Sequence, residues 1–65
     1  MSAVRAELSS ITSTLAELMH RVTALAEQAR DSQDADLAAE LFNVERGLHG
    51  ALRRLERATS GDKAP

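Results

Sequence analysis

Apolar residues recur with a seven-residue period along the first half of the chain. From Val4 to Ala29 the apolar steps alternate between four and three residues without a skip. This pattern predicts an amphipathic helix from about residue 3 to about residue 30. In heptad notation, where the letters a to g number the seven positions, the a column is Leu8, Leu15, Val22 and Ala29, and the d column is Val4, Ile11, Leu18 and Leu25.

The second half repeats the pattern and predicts a helix from about residue 35 to about residue 59. Its a column is Leu41, Leu48 and Leu55, and its d column is Leu37, Val44, Ala51 and Ala58. The polar run 31–34 predicts the turn, with Asp34 capping the second helix by accepting a hydrogen bond from a free backbone amide. Residues 60–65 are predicted to be a flexible tail.

A link of four residues makes the helices antiparallel neighbours. The predicted fold is therefore all-α, a coiled-coil-like antiparallel two-helix hairpin forming a single domain over residues 1–65. One alignment places each a residue opposite a d residue of the other helix, as in Leu25 with Leu41 and Leu18 with Leu48. This alignment predicts that the a and d columns form the seam between the helices.

A second apolar stripe beside this seam predicts a homodimer; the alternatives are a complex with the helices of another protein and a monomer. Contiguous apolar patches left on a surface usually mark an interface, and two hairpins joined through them form a four-helix bundle. A chain of 65 residues without cysteine has no disulfide to stabilise it, so oligomerisation is the expected stabiliser. The predicted dimer interface consists of Ala16, Met19, Thr23, Ala26, Ala38, Phe42, Glu45, His49 and Leu52.

The charges of the second helix are divided between its halves. Residues 34–45 contain four acids and no base, whereas residues 46–57 contain four arginines and one acid. This division favours antiparallel pairing of the second helix with its copy in the dimer. The whole chain has a formal net charge of -2, so it lacks the basic excess typical of nucleic-acid binders.

The outer face of the second helix is a possible surface for an anionic partner, either an acidic helix or a phosphate group. The alternative is an ordinary solvated basic face. Two glycines, Gly47 and Gly50, interrupt this helix, and each costs about 1 kcal/mol relative to alanine, which suggests close approach by a partner. The residues of this possible surface are Asn43, Arg46, Gly50, Arg53 and Arg57.

Neither a metal site nor a catalytic site is expected. Glu17 and His20 have the Glu-x-x-His spacing of di-metal bundles, but their c and f positions point outward, away from a bundle interior. Glu45 and His49 are four residues apart and can interact, yet no nucleophile accompanies them. We therefore expect no enzyme activity, no metal and no cofactor.

These observations predict a non-enzymatic protein–protein interaction or oligomerisation module, such as a small adaptor or regulator. The alternative is a small-ligand sensor that binds an anionic nucleotide or phosphate through the arginines of the second helix. A homodimer with a further protein partner is expected, without a membrane or nucleic-acid partner. The absence of a long apolar run and of a signal-peptide core favours a cytoplasmic location, and the pattern is common among small bacterial proteins.

Overall fold

The computed structural model describes residues 3–60, which form two helices packed against each other. Helix α1 spans Ala3–Asp31 and helix α2 spans Ala35–Ser60. The helices are antiparallel, because the start of α1 meets the end of α2, where Arg5 Nη1 donates a 2.7 Å hydrogen bond to the Thr59 carbonyl. The predicted all-α hairpin is confirmed. Each helix extends one residue beyond its predicted end, and the rest of the predicted tail, residues 61–65, lies outside the described residues.

The turn between the helices is tight and closed by backbone hydrogen bonds. Gln33 adopts a left-handed conformation with φ of 65°, and its amide donates to the Arg30 carbonyl at 3.0 Å, while the Asp34 amide donates to the Ala29 carbonyl at 2.9 Å. This pair of bonds is the Schellman arrangement that ends a helix. Asp34 also caps α2 as predicted, because its Oδ1 accepts from the Leu37 amide at 3.3 Å.

The seam between the helices is thin and made mostly of small side chains. The five buried residues are Met19, Ala26 and Ala29 on α1 and Ala38 and Leu52 on α2. Only Met19 and Leu52 are large among them. Alanines let two helix backbones approach closely, which explains a compact seam with little buried volume.

The prediction that the a and d columns form the seam is wrong for the d column. The buried Met19, Ala26, Ala38 and Leu52 occupy e positions, on the other side of the a column from d. Each helix is therefore rotated by roughly 50°, one column of the heptad, from its predicted orientation. The predicted alignment along the helices is retained, because Leu18 and Leu48 line one groove and Leu25 and Leu41 line the next.

Three threonines show why this rotated seam tolerates polar residues. The hydroxyls of Thr12, Thr23 and Thr59 each donate to the carbonyl four residues earlier in the same helix, at 2.7, 3.1 and 2.8 Å. The hydroxyls are thereby satisfied while the residues remain part-buried at the seam. Within residues 3–60 no buried side-chain nitrogen or oxygen lacks a hydrogen-bond partner. The rotation thus buries small residues without an unpaired polar group.

Candidate interaction surface

The d columns of both helices lie on one broad face of the hairpin and remain in contact with solvent. In an antiparallel pair rotated in this way, the two d columns fall on the same side, and we call this surface the open face. Its large side chains are between 43% and 68% exposed. They are Val4, Ile11, Leu18 and Leu25 of α1 and Leu37 and Val44 of α2.

A shallow apolar trough runs along the open face between the helices. Its part nearest the turn has a volume of about 510 Å³, and the neighbouring part about 350 Å³. Leu25 borders both parts, so the trough is continuous. The half-buried a residues Leu15, Val22, Leu41 and Leu48 are among its lining. The open face thus has aliphatic ridges and an aliphatic floor.

The open face is large enough to form a stable interface. The hairpin is a slab of 48 × 21 × 11 Å, so each broad face covers roughly 1,000 Å², compared with the roughly 800 Å² per partner of a standard protein–protein interface. Its apolar residues are contiguous rather than scattered. Contiguous apolar patches on a protein surface are typical of interaction sites.

The structure buries four of the nine predicted dimer-interface residues inside the hairpin. Met19, Ala26, Ala38 and Leu52 are buried between α1 and α2 of one chain. Of the remaining residues, Ala16, Thr23, Phe42 and Glu45 are half-buried and His49 is exposed. The apolar surface left for a partner is therefore the open face, which the sequence interpretation had assigned to the seam.

Side-chain size is the signal that could have identified the open face. The e column of α1 contains Arg5, Thr12, Met19 and Ala26, whereas its d column contains only Val, Ile and Leu. Small residues suit a close two-helix contact, and bulky aliphatic residues suit the wider interior of a four-helix bundle. This difference in size favours the observed rotation in α1 alone, because in α2 both columns mix large and small residues.

The residues of the possible anionic surface all lie exposed on α2. Arg46 Nη2 donates a 2.7 Å hydrogen bond to Asn43 Oδ1, which fixes one arginine along the helix surface. A Cβ atom added at Gly50 would meet nothing within 4 Å. Arg53 and Arg57 are exposed as well. The stripe belongs to a convex helix surface and does not border the trough.

The candidate metal pair is also exposed. Glu17 and His20 both face solvent on α1. Within the described part of the chain, no three His, Asp or Glu side chains come together as metal ligands would.

Charge is distributed unevenly along the hairpin axis. Near the turn, five acids accompany a single base, Arg30, which pairs with Asp31 at 3.5 Å between Nε and Oδ1. At the opposite end, residues 3–14 and 49–60 together contain four arginines and two glutamates. The acids near the turn are Glu27, Asp31, Asp34, Asp36 and Glu40. The hairpin therefore has an acidic turn end and a basic far end.

Comparison with known proteins gives no relative from which a function could be transferred. The chain matches no protein-family model, no curated protein and no solved structure. In the described residues, neither α1 nor α2 contains an apolar stretch long enough to cross a membrane.

Proposed function

We propose that this protein is a non-enzymatic interaction module that assembles by covering the open face with a second copy of itself, giving a four-helix bundle. The observation that supports the proposal is the contiguous aliphatic surface of the open face, whose six large side chains are 43–68% exposed in the single chain. In the bundle, the a and d columns of four helices would form one shared interior.

The single hairpin has too little core to be stable alone. Burying a large aliphatic side chain contributes about 1.5–3 kcal/mol, and only Met19 and Leu52 are large and buried. Covering the open face would add six large side chains per chain to the interior, which is the kind of gain that small domains obtain by oligomerisation.

A second copy fits the open face better than an unrelated helix would. The surface combines ridges at the d columns with a trough floored by the a columns, so two identical faces can interdigitate about a two-fold axis. Because the two faces have the same size, each would bury the exposed apolar surface of the other. A single docked helix would fill the trough but leave the outer d residues partly in solvent.

Sedimentation equilibrium over a wide concentration range tests the proposal. We expect a species of twice the 7.0 kDa chain mass and a melting temperature that rises with protein concentration, because dimerisation stabilises the folded state by mass action. The double substitution Ile11→Gln and Leu25→Gln should dissociate the dimer. Glu17→Gln with Glu27→Gln is the matched control, since both glutamates are exposed away from the open face. A folded 7.0 kDa monomer at all concentrations would refute the proposal.

A dimer of this kind would display the outer surfaces of its helices to further protein partners, which is how a small adaptor or regulator acts. The anionic-ligand alternative is supported by the exposure of Arg46, Arg53 and Arg57 on one stripe beside the open space at Gly50. A thermal-shift series with inorganic phosphate and nucleotides tests this alternative, because a ligand of the native state raises the melting temperature. If the double variant Arg53→Ala, Arg57→Ala shows the same rise in melting temperature with these ligands, the arginine stripe is not their binding site.

A further inference from the structure

We infer that the two hairpins pack with their turns at opposite ends, so that α2 crosses its own copy antiparallel at Gly47. The inference rests on the proposed dimer and specifies which surfaces of the second copy meet. Gly47 lies in the g column of α2, immediately outside the d column at the edge of the open face.

Only two symmetric arrangements bring one open face onto another. If the two-fold axis is parallel to the helices, both turns lie at the same end and each α2 packs beside the partner's α1. If the axis is perpendicular to the helices and parallel to the open face, the turns lie at opposite ends. Each helix then packs beside its own copy, and α2 runs antiparallel to α2.

Charge favours the arrangement with turns at opposite ends. The same-end dimer would bring two acidic turn ends together, with five acids and one arginine in each. The opposite-end dimer places the acidic half of α2 beside the basic half of its copy. In the g column, Glu40 of one chain would lie opposite Arg54 of the partner subunit, and the symmetric pair would form on the other side of the axis. Each of these two symmetric contacts joins an acid to a base, so no like charges meet there.

Gly47 supplies a separate reason for this crossing. A Cβ atom at Gly47 would meet nothing within 4 Å in its own chain, so packing inside the hairpin does not account for a glycine in the middle of a helix. In the antiparallel pair, Gly47 falls midway between Glu40 and Arg54 and therefore meets its own copy at the axis. Without a side chain there, the two helix backbones can approach closely at the crossing.

The interior layers fit the same axis. An axis midway between the levels of Gly47 and Leu48 places Val44 opposite the partner's Ala51 and Leu37 opposite the partner's Ala58, so each larger residue meets a small one. Leu48 meets its own copy beside Gly47, which contributes no side chain.

The α1 helices satisfy the same symmetry without adjustment. Leu18 lines the same groove as Leu48 and therefore lies at the level of the axis. Leu18 then meets its own copy, Ile11 lies opposite the partner's Leu25, and Leu15 lies opposite the partner's Val22. One axis thus gives aliphatic layers in both helix pairs.

Single-cysteine variants test the arrangement cleanly, because the chain contains no cysteine. Gly47→Cys should form a disulfide-linked dimer on mild oxidation, since a disulfide needs Cα atoms within about 7 Å. Gly50→Cys is the matched control: it changes the other helical glycine, but at an outward c position, and should crosslink at least tenfold more slowly.

A spin label on Ser32→Cys reports the relative direction of the two hairpins. Ser32 is exposed in the turn, so turns at opposite ends should hold the two labels apart by about the 48 Å length of the hairpin. Turns at the same end would bring the labels within about 25 Å, roughly two helix diameters.

The outcomes separate this inference from the proposed function. A dimer with distant Ser32 labels and rapid crosslinking at Gly47 supports the arrangement. A dimer with close Ser32 labels overturns the arrangement while the proposed dimer stands, and a dimer with distant labels but no Gly47 crosslink overturns the crossing at Gly47. A monomer in sedimentation refutes the proposed function, and the arrangement with it.

Discussion

Replacing Leu18 by alanine is the most direct quantitative test of the open face. Leu18 is 43% exposed in the single chain and would become buried at the centre of the dimer. Alanine is the best helix former, so the substitution keeps α1 intact and removes only the aliphatic side chain. The substitution should therefore act mainly by raising the dissociation constant of the dimer.

The magnitude follows from the fraction of Leu18 that the dimer would cover. Full burial of a leucine contributes about 1.5–3 kcal/mol, so covering the exposed 43% contributes roughly 1 kcal/mol per chain. The dimer contains two copies, which gives about 2 kcal/mol, or roughly a 30-fold weaker dissociation constant. A cavity left between the two alanines at the axis would increase this loss.

Sedimentation equilibrium of Leu18→Ala beside the parent protein measures the change. Glu17→Ala is the control, because Glu17 is the adjacent residue, is exposed and points away from the open face. We expect its dissociation constant to stay within about threefold of the parent value, as for most surface substitutions. A Leu18→Ala protein that dimerises as tightly as the Glu17→Ala control would refute the assignment of the open face as the interface.

Three further experiments, with four substitutions, test the seam, the turn and the dimer charges. Leu52→Ala should destabilise the fold by about 2–5 kcal/mol, because Leu52 is one of two large buried side chains, and a melting curve by circular dichroism that shifts little would contradict the seam. Gln33→Gly should raise stability by about 0.5–1 kcal/mol in chemical denaturation, since glycine adopts the left-handed conformation without the penalty of a side chain; an unchanged midpoint would show that the turn is unstrained. Glu40→Arg and Arg54→Glu should each weaken the dimer several-fold and restore it when combined, because exposed pairs contribute about 0–1 kcal/mol each and occur twice. Failure of the combined variant to recover would argue against antiparallel α2 pairing.

The sequence was sufficient to predict the elements, the alignment and the cap. The uninterrupted heptads located both helices, and Asp34 was identified as the cap because short polar side chains accept from free amides at helix starts. The rotation of the helices was not predictable from the period alone. In α1 the columns on both sides of a contain apolar residues, such as Leu18 at d and Met19 at e, and the heptad repeat has the same period for either choice.

The turn and the interface contain features that local sequence signals do not show. The left-handed position at the end of a helix is usually occupied by glycine or asparagine. Because this position is Gln33 here, the Schellman hydrogen bonds could be recognised only in the structure. The sequence placed the d columns in the seam, whereas the structure leaves them exposed and buries residues of the e columns. This difference arose because tertiary packing, rather than periodicity, decides which of two neighbouring apolar columns two helices bury against each other.

The seam of alanines and threonines also bears on how long one molecule survives. Met19 and Leu52 are the only large side chains buried in the described helices, and segments with few buried apolar contacts are the ones that open locally and expose their backbone to proteases. With the open face covered by a second copy, opening would first require separation of the pair, so degradation would slow as the protein becomes more abundant. The lifetime of each copy would then depend on the concentration of the protein: it would be short when the protein is scarce and mostly monomeric, and longer when the protein is abundant and mostly dimeric.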